Sequence, residues 1–208
     1  MEQQLTKYTV RLDDYENHSN LTLHLRNALK GWREYSEIVI VCIGTDRSSG
    51  DCLGPLVGDM INTKLKMMTL YGTLENPVHA LTLEDTLALI ETQHENPLVI
   101  AIDAGLGNTA DIGDIILKNA PIRPGAAVGK DLPPVGTYSI TAIVNVGGYM
   151  PGAVLQNTRL NTVMKMARII SNSILEVDKR IYNSEKQRQK RSFKKQLAEV
   201  ACGFINTF

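Results

Sequence analysis

Three cysteines, Cys42, Cys52 and Cys202, are too few for a disulfide framework. None belongs to a Cys-x-x-Cys pair, so the common zinc and dithiol motifs are excluded. Charge of one sign is also missing: 22 Lys and Arg face 22 Asp and Glu, leaving no general attraction for nucleic acid or an anionic membrane. No apolar run approaches membrane-spanning length, and residues 1–18 lack the apolar core of a signal peptide. The expectation is a soluble cytoplasmic protein with reduced thiols.

Several catalytic signatures are absent too. The loop GTDRSSG, residues 44–50, lacks the Lys-Ser/Thr ending of a phosphate-binding loop, and no Gly-x-Gly-x-x-Gly follows an apolar strand. Ser48 and Ser49 are not in a Gly-x-Ser-x-Gly elbow, which argues against a serine hydrolase. Cys52 neighbours Asp51 but has no histidine in a catalytic context, so a buried thiol is expected there. His79 and His94 are expected near the ends of elements, without a catalytic part.

What is present fits one medium domain of 208 residues and 23.0 kDa. Apolar residues at Leu21, Leu25, Ala28, Leu29 and Trp32 recur at helical spacing, and a helix is therefore expected before the first strand. Residues 38–43 form a continuous apolar run, as expected for a buried strand. A helical stripe then carries Leu53, Leu56, Val57, Met60 and Ile61, with Pro55 in its first turn. A β-like stretch at 69–74 is followed by another at 78–81, then by a helix capped by Thr82 with Asp85.

Strands are expected at 98–103, 113–118 and 138–146, with a long Pro- and Gly-rich loop over 121–136. A long helix closes the chain from Val154 onward. Residues 179–195 hold eight Lys or Arg against Glu185 alone. That stretch reads as a solvated helix face, with contact to nucleic acid or a membrane surface as the alternative. The expected organisation is one domain over 1–183 and a basic helical extension over 184–208. Alternating strands and helices imply an α/β fold whose mainly parallel sheet is covered on both faces.

The two acidic strand ends carry the functional signal. IVIVCIGTDRSSGDCLGP, residues 38–55, brings Asp51 after the first strand, and LVIAIDAGLG, residues 98–107, brings Asp103 to the end of a second. In a parallel sheet the carboxyl ends of strands border the ligand crevice, so both carboxylates are candidates for one substrate. Asp51 is equally placed to be an N-cap, and Asp103 to begin a turn. If the two share a water or a proton, one serves as base while the other serves as acid. Asp46 and Asp111 lie nearby and are expected to be solvated loop residues.

At these segments the chain resembles the sporulation protein family of the YyaC type, which is similar to the spore germination protease and more distantly to hydrogenase maturation endopeptidases. The resemblance spans residues 38–173 and rests on CIGTDRSSGDCLGP, VIAIDAGLG, PGAAVGK and TYSITAIVNVGG in that order. It implies a three-layer α/β/α sandwich of the phosphorylase/hydrolase type and an atypical aspartic-type endopeptidase with Asp51 and Asp103 catalytic. Its implied substrate is a protein or peptide such as a small spore protein, met in the developing spore. Gly44, Thr45, Gly105 and Lys130 are the candidate substrate clamp, through backbone N–H groups or the lysine cation. In the maturation endopeptidases the equivalent acidic positions bind nickel with a histidine; no histidine stands at the matching third position, so no metal or other cofactor is expected. A non-catalytic binding protein on the same fold, and a metal-dependent maturation factor, are the alternatives.

Overall fold

The strand Ile38–Cys42 (β2) is buried at every position, because helices or loops cover both of its faces. It is the pivot of the computed structural model, which describes the backbone of residues 6–125, 129 and 132–205 and the side chains up to 194 and of 196 within that range. Around β2 stand β1 (Lys7–Arg11), β3 (Met68–Tyr71), β4 (Leu98–Gly107), β5 (Asp114–Lys118) and β6 (Tyr138–Val146). They form a six-stranded sheet in the order β1-β5-β6-β4-β2-β3. The strands β6, β4, β2 and β3 run parallel, while β5 is antiparallel to both β6 and β1. The architecture is the expected α/β fold with a mainly parallel sheet.

The helices are α1 (Asn17–Ala28), α2 (Leu53–Ile61), α3 (Leu83–Gln93), α4 (Pro151–Gln156) and α5 (Leu160–Ile205). Alternation along the strands divides the core. Ile38, Ile40, Cys42, Ile100 and Ile102 pack with residues of α1, α2 and α5, whereas Val39, Val41, Ile43 and Ala101 pack with Leu83 and Ile90 of α3. The result is three layers with the sheet in the middle.

The chain leaves β2 through α2 to reach β3 on one side, then returns through α3 to β4 on the other. The two crossovers pack on opposite faces, so the carboxyl ends of β2 and β4 diverge and a crevice forms between them.

Several elements differ from the sequence expectations: residues 78–81 form no strand, Val78 making only an isolated bridge to Ile43, and Thr82 is the N-cap of α3 without a side-chain capping bond, its hydroxyl being taken up by His79 N–H and Pro77 O. A strand, β1, precedes α1; only Val10 of its five residues is buried, so no apolar alternation announces it. Its pairing with β5, Val10 opposite Ile115, creates it. The second strand also continues past Asp103 to Gly107, because β6 keeps pairing with β4 after β2 has stopped. Beyond the short α4, α5 runs unbroken for 46 residues, and Ile181 is the last buried apolar side chain among its described residues.

Candidate active site

The last paired residues of β2 and β4 are Cys42 and Ile102. Asp103 is thus the first β4 residue with no β2 partner, while on its other side it still pairs with Thr141 of β6. It is held in mid-strand rather than in a turn, which corrects the turn expectation and gives its carboxyl a rigid base. Alternation sends it to the same side of the sheet as Ala101, towards α3.

Asp51 arrives from the loop between β2 and α2. Gly44 starts that loop with φ +142°, and a Cβ there would sit 2.0 Å from the Asp51 carbonyl oxygen. Only glycine lets the loop close on itself in this way. Thr45 N–H donates to that same oxygen at 3.1 Å, and Gly50 N–H donates to Leu155 O of α4 at 2.9 Å. The N-cap of α2 is Cys52, with no side-chain capping bond, so Asp51 precedes the cap rather than forming it.

A cavity of about 450 Å³ opens where β2 and β4 part. Its wall includes Asp51, Asp103, Thr45, Arg47, Ser48 and His79, with α4 contributing Gly152, Leu155 and Gln156. Burial pushes the Asp103 carboxyl well above the ordinary carboxylate range, and the negative charge of Asp51 adds to the effect; a bond from the Ala104 backbone works in the opposite direction. Cys52 is buried, and burial together with the charges of Asp46 and Asp51 raises its thiol, which disfavours a thiolate nucleophile.

The candidate clamp divides. Gly44 and Thr45 line the cavity, but their backbone N–H groups are already bonded to Val78 O and Asp51 O, at 2.8 and 3.1 Å. They are not free to hold a substrate oxygen, which corrects that expectation. Gly105 does not line the cavity; it pairs with Ile143, and a Cβ there would meet Thr141 Cγ2 at 2.7 Å. Lys130 lies outside the described residues. Asp46 is exposed, as expected of a loop carboxylate. Asp111 instead closes a capping box with Asn108, whose backbone N–H and side-chain amide both donate to Oδ2.

His79, expected from the sequence to lie near an element end without a catalytic part, lines the cavity. An isolated bridge pairs Ile43 with Val78, and Gly44 N–H donates to Val78 O, so residue 79 is drawn beside the start of the acidic loop. No local pattern signals this, because the bridge joins segments 35 residues apart. Ser48 also gains interest: its Oγ is shielded from solvent and has no hydrogen-bond partner among the described residues. Among the described residues no three His, Cys, Asp or Glu side chains converge closely enough to hold a metal ion, so the carboxylates and His79 as placed do not fit a ligand set. No helix among them is long and apolar enough to cross a membrane.

Comparison with known proteins places this geometry. The crystal structure of the NiFe hydrogenase maturation protease HycI from Thermococcus kodakarensis KOD1 matches with a TM-score of 0.51 and 19% identity, over 75% of this chain and 99% of that one. At that identity the likeness shows a shared, protease-like fold. The uncharacterized protein YyaC of Bacillus subtilis (strain 168) is 49% identical over 154 residues, which cover 72% of this chain and 73% of that protein. Residues 9–173 match the family model described as "Protein of unknown function (DUF1256)", and the chain belongs to that family.

Proposed function

We propose that the protein is a two-carboxylate endopeptidase that hydrolyses a peptide bond in a protein substrate, a small spore protein by the resemblance set out above. The supporting observation is the asymmetry of the carboxyls. Burial, with the Asp51 charge added to it, lets Asp103 hold its proton well above the ordinary carboxylate range, which suits it to the part of acid and leaves the part of base to Asp51. Asp51 takes a proton from water as the water oxygen bonds to the carbonyl carbon. Asp103 gives its proton to the leaving nitrogen as the C–N bond breaks. The proton on Asp51 returns to Asp103 through solvent as the products leave, restoring the starting state.

Leu81, which lines the cavity, is 87% exposed. Cleavage of purified small spore proteins by the wild type, Asp51→Asn and Asp103→Asn tests the reading. Each variant is expected to lose at least about 10²-fold in rate. Equal cleavage by all three would remove the dyad, and failure of the wild type to cleave would favour a binding protein that keeps the fold.

A further inference from the structure

Hydrolysis between two carboxylates places negative charge on the substrate carbonyl oxygen in the tetrahedral intermediate, and a donor aimed at that oxygen lowers the barrier. The Gly44 and Thr45 amides are bonded within the fold and are excluded from this task. His79 is another candidate donor. It lines the same cavity as Asp51 and Asp103, and the Ile43–Val78 bridge fixes its backbone.

Its ring is oriented by the turn that leads into α3. Leu81 N–H donates to His79 Nδ1 at 3.3 Å, and Thr82 Oγ1 lies 3.3 Å from the same nitrogen. A backbone amide can only donate, so Nδ1 of the neutral ring carries a lone pair and the ring proton sits on Nε2. Thr82 is itself fixed, accepting from His79 N–H at 3.1 Å and donating to Pro77 O at 3.2 Å. Nε2 has no partner among the described residues.

We propose that His79 is a catalytic residue of this site, its Nε2–H donating a hydrogen bond to the carbonyl oxygen of the scissile amide. The inference rests on the two-carboxylate reading. The donated bond persists as that oxygen gains charge, and the proton stays on His79 throughout. Proton transfer remains with Asp51 and Asp103, so the step needs no further reactant.

The test combines cleavage of small spore proteins by the wild type, His79→Ala, His79→Gln and Asp103→Asn with nitrogen NMR of the His79 ring. Thermal unfolding of each variant checks that it is folded. His79→Ala is expected to lower kcat by about 10²–10³-fold with KM little changed, the signature of a bond strengthened in the transition state. His79→Gln, which keeps an N–H donor, recovers part of that loss and decides the matter if the alanine variant does not fold. The neutral ring should show its proton on Nε2. Wild-type kcat in folded His79→Ala alongside inactive Asp103→Asn overturns this inference alone. A proton on Nδ1 of the neutral ring overturns it whatever the cleavage result, and absence of cleavage by the wild type overturns both it and the reading beneath it.

Discussion

Asp178 of α5 is 1% exposed, and its carboxylate accepts three backbone N–H groups from the segment that opens β3. Lys66 N–H donates to Oδ2 at 2.8 Å, while Met67 and Met68 donate to Oδ1 at 2.9 and 3.1 Å. The longest helix is thereby tied to the edge of the sheet. Bonds to a charged acceptor are worth about 1.5–3 kcal/mol each, but they do not add, and water can replace part of the loss at exposed Lys66. At buried Met68 it cannot. Asp178→Ala should therefore cost about 3–4 kcal/mol, with the orphaned Met68 N–H supplying the part that nothing restores. Asp178→Asn keeps an oxygen for Met67 and Met68 and turns an amide donor towards Lys66, so about half that cost is expected. Urea unfolding followed by the fluorescence of Trp32, the single tryptophan, measures both. For a chain of this size, 3 kcal/mol corresponds to a Tm lowered by about 6–12 °C. The reasoning fails if Asp178→Ala costs less than about 1 kcal/mol, or if the asparagine variant is no more stable than the alanine one.

The pH dependence of Asp103 gives a second prediction. Its folded pKa is raised, so its stabilising contribution is fully present below the unfolded value and is lost as pH rises through the folded one. Asp103→Asn should accordingly match the wild type in stability below the ordinary carboxylate range and gain on it as pH rises through the raised folded value, as seen by paired denaturant titrations; a stability difference that does not change with pH would contradict the burial of an ionisable group. Gly54→Ala should destabilise by about 1–3 kcal/mol or more, since its Cβ would lie 2.1 Å from Ile43 O. Gly152→Ala, with nothing within 4 Å of the added carbon, should gain about 0.5–1 kcal/mol in the same melting assay. Removing residues 184–208 takes away the Arg33 contacts to Ser184 and Glu185 but, among the described residues, no buried apolar side chain, the last of these being Ile181. The shortened chain should unfold in one cooperative transition within about 1 kcal/mol of the full one, and a broad or split transition would show that the extension belongs to the domain.

The parallel half of the sheet was legible because its strands are buried on both faces and so appear as unbroken apolar runs, Ile38–Cys42 above all. The β1 edge was not, since four of its five residues are exposed and it exists by pairing with β5, more than 100 residues away. Asp51 and Asp103 stood out because apolar strands lead to them, and the structure brings them to one cavity. The misjudged donors share one cause. Whether the Gly44 and Thr45 amides are free depends on Val78 and on the return of the loop to Asp51, and His79 reaches the cavity through that same bridge. Local sequence carries residue type, whereas the availability of a hydrogen bond is decided by contacts made across the chain.

The glycines of α2, the helix that follows Asp51, have a different origin from that carboxylate. A Cβ at Gly54 would meet Ile43 O at 2.1 Å, and one at Gly58 would meet Gly72 O at 1.8 Å, so α2 lies with bare backbone against the strand ends. Glycine is required there by steric contact, whatever reaction the cavity performs. A descendant chain that exchanged Asp51 for a neutral residue and lost its chemistry would still need both glycines to fold. Resemblance through this segment therefore traces ancestry of shape, and the acidic side chains have to be checked one by one before an activity is inherited along with it.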